Sequence, residues 1–579
     1  MLKRTLCVAL LLAALSVLYT SACTGETGQS GQSSQSGETG QTGQTAAETP
    51  EDSGLAKIMN PEGMPIAKEP GGIVLRIFVG THPNAINPAD MRWTKRMEEK
   101  TNVRIDWLWY SEFAAGEKAR LMLMAADDLP DIFMNTLNRY EVIQYSMLDL
   151  FVPVDGLVDK WMPNLRNIYD KRPEYRNLAV SPDGKMYGFP YIEEMHGLIL
   201  SPGPILIYRP WLDKLGLDMP QTLDEFRGYL EGVRDNDLND NGLNDEIPFT
   251  FQVGGWDSHE GYHQIISCFG ISDMYNHITV KDGKVVNTTT LPEFRLGIDY
   301  VNQMYRDDLI DEESFMPAMS GDPRSRILGK VNDRTVTVGA VQLFSTINEI
   351  IDDRRRAEYV PLPRLAGPNG AKQGIRYNQT ECNSVTRCVI TGACAYPEAA
   401  ARWIDACFEP EESVYLNWGS EGYIYRKGAD GILRWDLDED GKPNLKEGYD
   451  NMGEMRWVST PVFGALAILT DYYDTVVEYP MDARLIIDNQ KAAGLDDILA
   501  EREYLPQMWM LPEEIEKLAQ LETYVNNLVY AYVTKWLMEG GVNDDWDDYQ
   551  KMLKDARIDE VMSVYQGAYE RYLLQSGGR

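Results

Sequence analysis

Ten residues, DLNDNGLNDE, crowd oxygen donors into one short turn between Asp237 and Glu246. Asp237, Asn239 and Asn241 alternate, Gly242 sits at the bend, and Asp245 and Glu246 follow. Alternating oxygen-bearing side chains ahead of a glycine form the first half of an EF-hand-like loop, to which Leu243 would add its backbone carbonyl. Together these groups supply about the six to eight oxygens that Ca2+ takes. Position twelve is Pro248 rather than Glu, so the closing ligands come early. The alternative is a polar turn held by its own Asn and Asp side chains without metal. A second acidic run, 436–447, matches the EF-hand letters, but Pro443 interrupts it and DEDGKP reads as a hairpin tip.

The segment HEGYH, 259–263, matches the pattern in which two histidines one helical turn apart bind zinc while Glu activates water. Gly261 weakens the helix, and Ile266 and Phe269 stand where the extended motif needs Gly and His. A helix start near Ser258 with exposed imidazoles is the plainer expectation, and a zinc metalloprotease is the weaker enzymatic alternative. The other is a sugar-cleaving hydrolase, which needs two carboxylates about 5–10 Å apart. The abundance of acids does not exclude such a pair.

The chain has 13 Trp and 32 Tyr. Sugar sites stack flat aromatic faces on the rings and surround them with a few polar groups. Trp256 follows VGG, Trp418 precedes GSEGYIY, and Tyr191 follows YGFP. Aromatics beside glycine in loops are better ligand candidates than those in helical stripes such as LVYAYVTKW. Glu421 and Arg376 join them as polar candidates.

These residues need elements to hold them. GIVLRIFVG reads as a strand, NPADMRWTKRMEEKT as a helix capped by Asn87 with Pro88 in its first turn, and NVRIDWLWY as a second strand. GEKARLMLMAADD is helical and LPDIFMN is a third strand, giving β-α-β-α-β and parallel strands. In such open sheets ligands gather beyond the carboxyl ends of the strands, which places Tyr110, Glu112 and Asn135 at a candidate site. Further along, Thr222 and Glu225 form a capping box, ITVKDGKVVN turns on Asp282-Gly283, and the C-terminal region is helix-rich.

A chain of 579 residues exceeds one typical domain. It is 44% hydrophobic and 25% charged, an ordinary globular composition, and its formal charge of -34 excludes nucleic acid as an expected partner. The N-terminus combines MLKR, a short apolar run and YTSAC, which resembles a bacterial lipoprotein signal cleaved before Cys23. Thr20 stands where such signals usually carry Leu, and a plain secretory signal is the alternative; both export the protein. Residues 23–71 open with Gly, Ser, Thr and Gln and read as a flexible tether to the outer face of the cell membrane. The remaining five cysteines, Cys268, Cys382, Cys388, Cys394 and Cys407, include no CxxC and read as buried thiols with at most one or two disulfides.

The segment YRPWLDKLGLDMPQTLDEFRGYLEGVRDNDLNDNGLNDEIPF resembles a signature of the family 1 extracellular solute-binding proteins, the lipoprotein receptors of bacterial ABC importers. DDLPDIF, VKDGKVVN, MYRDDLIDEESF, YVPLPRLAGPNG and YPEAAARWIDACF agree in order. The resemblance implies an α/β fold of two lobes closing on a ligand like a clamp, each lobe a mixed sheet flanked by helices. It also implies that Asp237, Asn239, Asn241, Leu243, Asp245 and Glu246 hold a structural Ca2+, as in alginate-binding members. The expected layout is a signal peptide at 1–22, the tether at 23–71, one lobe from 72–200 and about 335–410, and the other from about 201–334 and 411–579. The expected function is capture of an oligosaccharide by a monomer, without catalysis, and delivery to an ABC permease.

Overall fold

The computed structural model describes residues 54–197, 200–253, 261–315, 323–343, 350–376, 380–439, 442–449, 451–479, 481–500 and 504–575. Cys23 and the signal and tether segments through residue 53 lie outside the described residues, as do Trp256, His259 and Glu260.

In chain order the strands are β1 (Ile73–Thr81), β2 (Val103–Ser111), β3 (Ile132–Met134), β4 (Phe189–Glu193), β5 (Ile205–Tyr208), β6 (Ile247–Thr250) and β7 (Ile278–Lys281). There follow β8 (Lys284–Asn287), β9 (Val338–Gln342), β10 (Tyr359–Pro361), β11 (Cys382–Ile390), β12 (Tyr425–Lys427), β13 (Leu433–Trp435) and β14 (Leu466–Ile468). A six-stranded sheet has the order β14-β4-β11-β3-β1-β2, and a four-stranded sheet the order β10-β5-β9-β6.

The first sheet begins as its sequence predicts. β1 pairs in parallel with both β2 and β3, and the helices Arg92–Thr101 and Glu112–Ala125 make the crossovers. The expected helix start at Asn87 is instead a separate 3-10 turn, Pro88–Asp90. Asn87 does cap it, accepting from Ala89 N, but Met91 is extended and the α-helix restarts at Arg92. In the other sheet's lobe, Thr222 and Glu225 form the capping box of the helix Leu223–Asp235. The β7–β8 hairpin turns on Asp282 (φ 50°) and Gly283 (φ 75°), the left-handed pair that a two-residue turn demands.

Each sheet has its own buried core. One runs from Met59 to Met195 and from Cys382 to Ile487, with Trp509; the other runs from Ile205 to Leu365 and from Met508 to Ala568. The chain therefore crosses between lobes within 195–205, 365–382 and 487–508. This corrects the expected boundaries. The segment 335–361 belongs to the second lobe because β9 pairs with β5 and β6 and is buried along its whole length. The segment 411–487 belongs to the first because β14 pairs in parallel with β4. The reason is non-local: strand partners as far apart as β5 and β9, or β4 and β14, leave no mark in local periodicity. The helices Pro512–Met538, Val542–Asp555 and Ile558–Gln575 complete the second lobe; the first two pack on the helix Pro292–Arg306 and the third on Pro512–Met538 and β8.

Candidate functional site

The carboxyl ends of β1, β2 and β3 converge around Gly80 and Asn135. A Cβ on Gly80 would stand 2.7 Å from the Asn135 carbonyl oxygen, so only glycine permits this approach. Asn135 itself is left-handed (φ 55°), a conformation that asparagine tolerates. Its Nδ2 donates to Gly80 O at 3.0 Å, and its Oδ1 accepts from the guanidinium of Arg387 on β11. Glu112, at the start of the next helix, keeps much of its surface in solvent but is crowded enough by neighbouring atoms that partial desolvation raises its carboxyl above the ordinary value, and the charge of Arg387 opposes the rise. Tyr110 stacks on Phe78 with ring centroids 5.1 Å apart and remains 38% exposed.

On β4, period-two alternation puts Tyr191 and Glu193 on one face. The buried Glu193 carboxylate accepts from the Tyr191 hydroxyl, from Asn417 Nδ2 at 2.8 Å and from Trp418 Nε1 at 2.9 Å. It thereby joins β4 to the end of the helix Pro410–Trp418. Burial first, then the adjacent Glu193 charge, holds the Tyr191 hydroxyl well above its usual range. Arg456, on the helix Met452–Ser459, donates through Nε to Asn417 O at 2.5 Å.

A row of alternating charges and rings results. Arg387 lies 5.0 Å from the Tyr191 ring centroid, Tyr191 is 5.9 Å from Phe463, and Arg456 is 5.0 Å from Phe463. Val462 and Phe463 both have positive φ, 58° and 57°, a conformation that costs a β-branched and an aromatic residue energy and that collects at ligand sites. Trp418 stacks toward Tyr473, and Tyr473 lies 3.8 Å from Tyr479. At the end of β1, His82 lies parallel to Trp457 at 3.5 Å.

The structure thus brings Tyr191 and Trp418 together through Glu193, and Glu112 and Asn135 beside them through Arg387. The other sequence candidates are engaged differently. Glu421 accepts from the Tyr415 hydroxyl at 3.3 Å, and Arg376 donates to Leu499 O at 2.7 Å and stacks on Tyr504. Sequence reasoning missed Glu193, Asn417, Arg387, Arg456 and Phe463. Two had a local signal: Glu193 is two residues from Tyr191 in a strand, and Asn417 adjoins Trp418. At the interlobe crossings, Gln264, Arg364 and Gln373 line a small cavity together with Ile205, Leu362 and Ile498, and Gln264 donates to Gly203 O at 3.0 Å.

In the acidic loop, Asp237 accepts from Asn241 N at 3.1 Å and Gly242 N at 2.8 Å, while the Asn239 and Asn241 amides turn onto Asp245. Glu246 Oε1 accepts from Leu238 N and Asn239 N, but its Oε2 is buried without a partner. Such an orphaned oxygen among carboxylates and amides suits a hard cation. Among the described residues no group of three or more His, Cys, Asp or Glu side chains is arranged to hold a metal. A cation here would rely on the amides and a carbonyl as well. In the 436–447 run, Leu437 bridges to Pro443 and Asp438 N donates to Lys442 O, as a hairpin does.

The zinc reading finds no support in the described part of its motif. His263 is 3% exposed rather than solvent-facing, and its Nδ1 is 2.7 Å from the buried carboxylate of Asp273, which His277 also contacts. All five remaining cysteines are buried and free. Among the described residues no helix is long and apolar enough to cross a membrane.

Two α/β lobes joined by crossing segments, with aromatic and polar side chains gathered at the strand ends, define a solute-binding clamp. No protein-family profile matches the chain. It is 33% identical over 493 residues to the fructooligosaccharide ABC transporter substrate-binding protein FusA of Streptococcus pneumoniae, covering 84% of this chain and 88% of that protein. The lipoprotein LipO of Bacillus subtilis is 24% identical over 287 residues, 47% of this chain and 54% of its own. Among solved structures, FusA in complex with kestose superposes with a TM-score of 0.74 at 31% identity, covering 86% of this chain and 99% of that one; an EF-hand mutant of FusA with fructo-nystose gives the same TM-score. A human-milk-oligosaccharide-binding solute-binding protein from Bifidobacterium longum infantis shares the fold, with a TM-score of 0.74 at 20% identity, covering 86% of this chain and 99% of that one. The chain belongs to the substrate-binding proteins of ABC transporters.

Proposed function

We propose that this protein captures an oligosaccharide between its lobes and hands it, unaltered, to a membrane permease. The observation that carries the reading is the cluster around Glu193: aromatic faces held in fixed orientation by a buried carboxylate, beside guanidinium and amide donors, at the strand ends of one lobe. Stacking surfaces ringed by a few fixed polar groups are the chemistry of sugar recognition. Support also comes from the names of two relatives, a fructooligosaccharide ABC transporter substrate-binding protein and a human-milk-oligosaccharide-binding protein. Tyr110, Glu112, Asn135, Tyr191, Arg376, Trp418 and Glu421 would contact the sugar, as would Trp256, which lies outside the described residues.

Asp237, Asn239, Asn241, Leu243, Asp245 and Glu246 would hold a Ca2+ ion, whose charge would satisfy the orphaned Glu246 oxygen and fix the turn between the helix Leu223–Asp235 and β6. The EF-hand mutant of FusA supports this. Cys23 would carry lipid and hold the protein, as a monomer, at the outer face of the cell membrane; the lipoprotein LipO supports that anchoring. Calorimetric titration with an oligosaccharide panel, followed by chromatography of the recovered sugar, tests the function. Stoichiometric binding with intact sugar is expected; hydrolysis products would contradict it.

A further inference from the structure

The carboxyl ends of β4 and β14 lie on the same sheet edge as those of β1, β2 and β3. β1 and β3 are parallel, β11 is antiparallel to β3, β4 is antiparallel to β11, and β14 is parallel to β4. Ligands of such sheets gather along that edge. Past β4 the chain enters the first interlobe crossing, where His196 is exposed between buried Met195 and Gly197. Past β14 it supplies Tyr473 and Tyr479.

His196 extends the aromatic row that begins at Trp418. Its ring stacks toward Tyr479 with centroids 5.5 Å apart and toward Tyr473 at 6.4 Å, and its Nε2 meets the Tyr479 hydroxyl. A neutral imidazole has one donor and one acceptor nitrogen, and with Nε2 taken, Nδ1 is left without a hydrogen-bond partner among the described residues. Partial desolvation, then the charge of Lys491, lowers the His196 pKa, with Glu194 opposing, so the ring is mostly neutral at pH 7.

The backbone of His196 is held in place from outside. Its φ is 53°, left-handed, and Gly197 follows at 81°. Residues other than glycine enter that region at a cost, and their surroundings keep them there, commonly at ligand sites. The hold is Glu381, on the second crossing: its Oε1 accepts from Met195 N at 2.7 Å and from Gly197 N at 2.6 Å, one on each side of His196. The neighbouring carboxylates are committed elsewhere, Glu193 to Tyr191, Asn417 and Trp418, and Glu194 to Arg172, Tyr175 and Thr470 N. Glu381 thus ties two crossings together and sets an imidazole at the end of the row.

We infer that His196 is a sugar-contacting residue, its Nδ1 bonding a hydroxyl of an oligosaccharide that lies along the row from Trp418, and that Glu381 is its positioning residue. A hydroxyl both donates and accepts, so it suits Nδ1 in either tautomer. The inference rests on the sugar-binding reading and adds to it a contact from a crossing segment.

The test is calorimetric titration of the intact protein with kestose, xylotriose, maltotriose, galactotriose and mannotriose, the tightest of which serves as the probe for the variants. His196→Asn keeps a residue that tolerates left-handed backbone, and His196→Phe keeps a ring without its nitrogens. Each should bind the probe about tenfold more weakly than wild type, the size of one net hydrogen bond, with the melting temperature of the sugar-free protein unchanged. Glu381→Ala should also lose about tenfold, and Glu381→Gln, whose carbonyl can still accept both N–H groups, should recover most of it. In the His196→Asn background Glu381→Ala should cost little more. Wild-type affinity in both His196 variants, or additive losses in the double variant, would overturn the inference and leave the sugar-binding reading standing. If none of the five sugars binds, that reading falls and the inference with it.

Discussion

At the scale of single residues, the account turns on Glu193. Its carboxylate holds a phenol, an amide and an indole from two elements; without it the amide and the indole would lose this buried partner and the phenol would keep only Asn417 Oδ1 at 3.2 Å. Glu193→Ala should lower stability by about 1–3 kcal/mol, the cost of orphaning buried donors, and weaken sugar binding at least tenfold. Thermal melting and calorimetry measure the two effects separately; a melting point and an affinity both equal to wild type would remove Glu193 from the site. Burial pushes the thiols of Cys268, Cys382, Cys388 and Cys394 up to about 12, so they remain protonated and unreactive near neutrality. Ellman's reagent at pH 8 should label almost no thiol in the native protein and all of them after denaturation. Asp273 is the clearest pH-sensitive group. Burial would raise its pKa, but His277 and His263 hold it far below the ordinary carboxylate range. A depressed folded pKa stabilises above the unfolded value of about 3.9 and the benefit is lost only as pH falls through the folded one. Asp273→Asn should therefore cost about 3–5 kcal/mol at neutral pH and flatten the acid limb of the stability curve, as read by urea unfolding from about pH 1.5 to about pH 8.

At the scale of elements, much was legible where periodicity and punctuation are local. The alternation of Val103, Ile105 and Trp107 marks β2, Thr222 and Glu225 announce a capping box, and Asp282-Gly283 announces a hairpin. The parallel β1–β2–β3 start places Asn135 and Glu112 at the strand ends from the sequence alone. What escaped was set by distant pairing. Arg387 reads as an ordinary strand residue until β11 runs antiparallel to β3 and delivers it to Asn135. Arg456 and Phe463 acquire meaning only when β14 docks on β4. The helix boundary near Asn87 failed for a smaller reason: one extended residue, Met91, splits the expected helix in two. The acidic loop belongs to this scale because it joins a helix to β6. Calcium at about 100 times its dissociation constant should stabilise the second lobe by about 2.7 kcal/mol. EGTA should lower the melting temperature, and Glu246→Gln should abolish the response; an unchanged melting curve with excess calcium would leave the loop a metal-free turn.

At the scale of the whole molecule, two cores with three crossings make a hinge the natural mode of motion. A ligand closes such a clamp only by touching both lobes more favourably when closed. On the proposed reading the lobe holding Tyr191 supplies one set of contacts, and the small crossing cavity lined by Gln264 and Gln373 lies between the elements that join it to the other. Small-angle scattering should report a smaller radius of gyration at saturating sugar, and Trp418→Ala should weaken binding without preventing compaction at saturation. The central claim is capture and release without chemistry. Its most direct test is calorimetry on the intact protein with a neutral oligosaccharide, with the sugar then recovered and sized. The account predicts one site per chain and recovery of the full-length sugar after prolonged incubation. Accumulation of shorter products, or failure of every oligosaccharide to bind, would contradict it.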